Sequence, residues 1–79
     1  MNKEIMNLVN YYCDTLLLGY TEENWTRASR YLQQLSGLID LKSYTILGDL
    51  MSEMYAEPIS KKVTTAKKFI TKQLQQMSS

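Results

Sequence analysis

Apolar residues recur through the first part of the chain at helical spacing. Ile5, Val9, Tyr12 and Leu16 follow an i, i+4, i+7, i+11 pattern, with Leu8 and Cys13 widening the face. A helix over about 3–18 is predicted, closed by Gly19 in a left-handed conformation. Trp25, Ala28, Leu32 and Leu35 make the next stripe, in a helix over 22–36 that Gly37 closes. Thr21 is its expected N-cap, and Glu22 and Glu23 set negative charge against the exposed N–H groups of the first turn. Tyr20 and Trp25 have the spacing of a hydrophobic staple, which would fix the angle between the first two helices.

Asp40 is the expected N-cap of a third helix over 41–56. Its apolar face reads Tyr44, Leu47, Met51, Met54 and Tyr55, with Leu50 at the edge. Gly48 lies beside that face and costs about 1 kcal/mol relative to alanine, so a close approach by a neighbouring helix is expected there. Pro58 blocks continuation and disfavours a helical Glu57. A fourth helix over 59–77 then carries a heptad-like stripe of Ile59, Val63, Ala66, Ile70, Leu74 and Met77. Short turns make successive helices antiparallel neighbours. The expected fold is all-α, a small antiparallel four-helix bundle of up-down-up-down topology, forming one domain over 1–79.

Composition narrows the chemistry. The chain has no histidine, which removes the commonest general base, the His-containing triads and most metal sites. Cys13 is alone and sits on an apolar face, so it reads as a buried thiol that forms no internal disulfide. No Gly-rich phosphate loop, zinc spacing or nucleophile elbow is present. Asp49, Glu53 and Glu57 form an i, i+4, i+8 ladder, read as a solvated acidic ridge facing a lysine-rich neighbour, since a helix cannot wrap oxygens around a cation. A non-enzymatic protein without cofactor or metal is expected. The longest apolar run, Leu16–Leu18, is far too short to span a membrane, and the N-terminus shows no signal-peptide core. Together with the single cysteine, these features suggest a cytoplasmic setting.

Charge is divided unevenly. Residues 58–79 hold five lysines and no acid, whereas residues 1–57 hold four basic and eight acidic side chains. On a helix, Lys61, Lys68 and Lys72 fall within about 40° of one another, opposite the apolar stripe, while Lys62 and Lys67 flank it. The plain reading is a solvated outer face. The sharper one is nucleic-acid binding, with Lys61, Lys68 and Lys72 on phosphates. Base readout would be poor, because the segment has no arginine or asparagine, and Glu57 would occupy the turn glycine of a helix-turn-helix alignment. Membrane-surface binding is not expected, since Phe69 is the segment's one bulky aromatic.

Several apolar side chains fall outside the predicted stripes. Tyr11 and Leu18 lie off the core face of the first helix, Tyr31 borders the second, Ile46 sits among polar residues of the third, and Phe69 borders the fourth. Six tyrosines are also more than one small core readily absorbs, since each hydroxyl needs a partner or water. Tyr11, Leu18, Tyr31 and Phe69 are therefore the candidate partner-binding residues. The expected function is a small regulator or inhibitor that occludes a partner protein's surface, with lysines steering an acidic partner and a homodimer through the first helix as one outcome. Nucleic-acid binding is the alternative.

Overall fold

Helix boundaries in this chain are written by local chemistry at each turn. The computed structural model describes residues 2–54 and 60–78, with α1 at Asn2–Leu17, α2 at Glu22–Leu35, α3 at Leu41–Ser52 and α4 at Ser60–Ser78. Gly19 and Gly37 take positive φ values of 91° and 82°, so each helix end is closed by the residue that adopts this conformation without strain. Thr21 caps α2 by accepting from the Asn24 N–H at 3.0 Å. Asn24 in turn donates its side-chain amide to the Gly19 carbonyl at 2.9 Å, tying the turn to the helix it starts. Across the same turn the Tyr20 and Trp25 rings meet edge to face at 6.1 Å, the predicted staple. Asp40 caps α3, accepting from the Ser43 N–H at 3.4 Å and the Ser43 hydroxyl at 2.5 Å. Those bonds, the hydroxyl foremost, hold the Asp40 carboxyl below its ordinary pKa.

The four helices form a compact bundle. α1 packs on α2 and α4, and α3 packs on α2 and α4, so the helices make a ring in which α1 and α3 are diagonal. The dimensions, 37 × 22 × 18 Å, match helices aligned along one axis. Val9, Tyr12, Cys13 and Leu16 meet Ala28 and Leu35, Leu47 and Leu50, and Val63, Ala66, Ile70 and Leu74 in one core. The buried Thr15 hydroxyl donates to the Tyr11 carbonyl at 2.7 Å, and no buried side-chain polar atom among the described residues lacks a partner. No described helix is long and apolar enough to cross a membrane.

The structure corrects the third helix most. α3 ends at Ser52 rather than 56, because Glu53 and Met54 turn back with N–H bonds to Leu50 and Met51, each at 3.1 Å. Tyr55, Glu57, Pro58 and Ile59 lie outside the described residues, as does the side chain of Met77. The buried residues of α3 are Ser43, Leu47, Leu50 and Met51, and Met54 is buried in the turn just beyond it; Leu50 is core and Tyr44 only half-buried. Ser43 can occupy this face because Asp40 satisfies its hydroxyl. In α2, Ala28 and Leu35 are buried, while Trp25 and Leu32 are only half-buried. The expected close approach at Gly48 is also absent: a Cβ there would lie 3.9 Å from Leu32 Cδ2, an ordinary contact. The remaining ends agree within a residue, including Leu18, which falls just beyond α1.

Candidate partner-binding surfaces

Ile46 and Phe69 each immediately precede a fully buried residue, Leu47 in α3 and Ile70 in α4. One helical step is about 100°, so both side chains stand at the shoulder of the core rather than in it. α3 and α4 are neighbours, which brings these shoulders together as an open groove of about 420 Å³. Ile46, Leu50, Ala66 and Phe69 supply its apolar lining, and Asp49, Lys61, Lys62 and Thr65 its polar edges. Lys42, one turn before Ile46, places its ammonium 5.3 Å from the Phe69 ring centroid. Lys62 Nζ meets Glu53 Oε1 at 2.7 Å. The acidic ridge of α3 thus faces the lysine helix through Glu53, leaving Asp49 on the groove edge.

A second apolar area lies between α1 and α2. The Tyr11 and Tyr31 rings are tilted by 39° at a centroid distance of 5.9 Å, with Tyr11 53% exposed and Tyr31 half-buried. Leu18 is 68% exposed just after α1, near the exposed Leu17 and Tyr20. The structure therefore unites Tyr11 with Tyr31 but separates both from Phe69. In a ring where α1 packs on α2 and α3 on α4, the two seams are on opposite sides. Sequence periodicity missed Leu38 and Leu41, which are exposed at the α2–α3 turn. Their signal was simply position, since neither falls inside a helical stripe.

Lys61, Lys68 and Lys72 are all exposed on α4, and none forms an ion pair with a described residue. Lys67 is half-buried on the side toward α1, where its charge acts on Cys13. Burial nevertheless pushes the Cys13 thiol up to about 11, against the opposing effect of Lys67 and with a smaller push from Asp14. Near neutral pH it is a protonated, fully enclosed thiol. Burial likewise raises the Tyr12 phenol, which donates to the Leu47 carbonyl. No group of three metal-ligating side chains occurs among the described residues.

Comparison with protein-family models, curated proteins and solved structures finds no match for this chain. Any function therefore rests on its own side-chain geometry and charge.

Proposed function

We propose that the protein is a small non-enzymatic regulator that binds another protein and acts by covering part of that partner's surface. The observation that carries this reading is the groove between α3 and α4, where the half-buried Ile46 and Phe69 present apolar surface at the edge of the core beside Lys61, which pairs with no carboxylate among the described residues. Aromatic side chains at a surface depression are the usual anchors of protein recognition, and nearby charge speeds encounter. The enclosed thiol suits a reducing compartment such as the cytoplasm. The test is recovery of a stoichiometric complex with an identified protein, followed by Phe69→Ala. Loss of at least about tenfold in affinity with the fold intact is the expected result for an anchor.

A second reading has one observation of its own: Lys61, Lys68 and Lys72 are exposed and free of ion pairs to described residues. Such a face suits non-specific phosphate contact. It predicts retention on a DNA or RNA matrix at about 50 mM salt and release near 200 mM. A Lys61/Lys68/Lys72→Glu variant that binds nucleic acid as well as the parent protein rules it out.

A further inference from the structure

We infer that the α3–α4 groove receives an acidic amphipathic helix of the partner protein, an assignment that rests on the protein-binding reading above. Shape supports a helix. The groove is open along its length between two packed helices, so a third helix can lie in it as helices of a bundle lie in one another. A drug-sized ligand is normally buried on most of its surface, which a depression this open does not provide. The apolar lining, led by Ile46 and Phe69, takes the i, i+4, i+7 stripe of the incoming helix.

Charge decides what borders that stripe. Glu53 and Lys62 already neutralise each other at 2.7 Å. Among the described residues, what remains at the edges is Lys61 and Lys42, the latter within the field of Asp40, against the carboxylate of Asp49, with Lys68 and Lys72 further out on α4. Carboxylates along the α4 side of the incoming helix complement this field. Lys42 also lies across Phe69, a contact that has to yield when an apolar side chain covers the ring. A partner carboxylate gives the displaced ammonium a new counter-ion, so the same acid satisfies the edge and opens the anchor. A second copy of this chain is a poorer match than an acidic helix, because its own α4 would bring a segment with five lysines and no acid to the same field.

The test uses the intact chain as bait for a displayed library of helix-forming peptides of about 16 residues, long enough to hold a helix. Glu and Lys are equally represented in the library, so any charge preference is a result. Enriched sequences are expected to carry an apolar i, i+4, i+7 stripe bordered by Asp or Glu. The synthesised peptides should bind one to one, and more weakly as salt rises. Phe69→Ala should weaken them at least about tenfold. Lys42→Glu/Lys61→Glu, a change confined to exposed side chains that leaves folding intact, should do the same. Tyr11→Ala should leave binding unchanged. Enrichment without acids, affinity indifferent to both variants, dimerisation of the bait through this groove, or no enrichment overturns the assignment. Peptides or a captured protein that depend on Tyr11 and Tyr31 overturn it while leaving the protein-binding reading standing. That reading falls only if no protein complex forms at all.

Discussion

Tyr12 on α1 donates its hydroxyl to the main-chain carbonyl of Leu47 on α3, across the diagonal of the bundle. The two helices are not ring neighbours, so a fully buried phenol joins elements that mainly pack on others. The Leu47 carbonyl sits inside α3 and keeps its helical partner if the phenol is lost. Tyr12→Phe should therefore cost about 0.5–1.5 kcal/mol, the net worth of one hydrogen bond. Urea unfolding should show a lower midpoint at unchanged m-value; an unchanged midpoint would mean that the bond adds nothing.

Two buried acids make the fold sensitive to alkali. In the unfolded chain the Cys13 thiol ionises near its ordinary value of 9.0, whereas the fold keeps it protonated to about 11. Between those values the unfolded state binds fewer protons, so stability falls as pH rises. Tyr12, also raised by burial, adds an effect of the same sign above its ordinary value of 10.0. The decline should approach about 1.4 kcal/mol per pH unit for each group. Unfolding measured from about pH 8 to 10 checks this, and Cys13→Ala should flatten the lower part of the curve. At neutral pH a thiol reagent should label Cys13 only as fast as the protein opens.

The three glycines should respond with opposite signs. Gly48 is helical and has room for a methyl group beside Leu32, so Gly48→Ala should stabilise by about 0.5–1 kcal/mol. Gly19→Ala and Gly37→Ala should destabilise, because both backbones hold positive φ. Thermal melting separates the cases, with shifts of about 4–8 °C expected per kcal/mol in a domain of this size. A Gly48→Ala variant that melts lower would show that α2 and α3 are tighter than the Leu32 distance implies.

The parts of this fold legible in the sequence are those whose causes lie within a few residues. Thr21 reaches Asn24, Asp40 reaches Ser43, Tyr20 reaches Trp25, and a glycine closes α1 and α2. The face of α3 was legible only in part because Ser43 interrupts the apolar pattern, and its burial depends on a bond to its own cap. The groove was less legible still. Periodicity could mark Ile46 and Phe69 as off-stripe, but their meeting depends on which shoulder of α3 faces α4. The same applies to Tyr11 and Tyr31, which meet at a different seam from Phe69.

The groove-centred account of binding is tested most directly by the dissociation constant of the purified partner complex, measured in parallel for the parent protein, Phe69→Ala and Tyr11→Ala, with the melting temperature of each. A groove-centred interface predicts that Phe69→Ala weakens the complex at least about tenfold while the protein still melts cooperatively, and that Tyr11→Ala changes neither quantity appreciably. Unchanged affinity for Phe69→Ala, together with a collapse of its melting temperature, would contradict the account by making Phe69 part of the core.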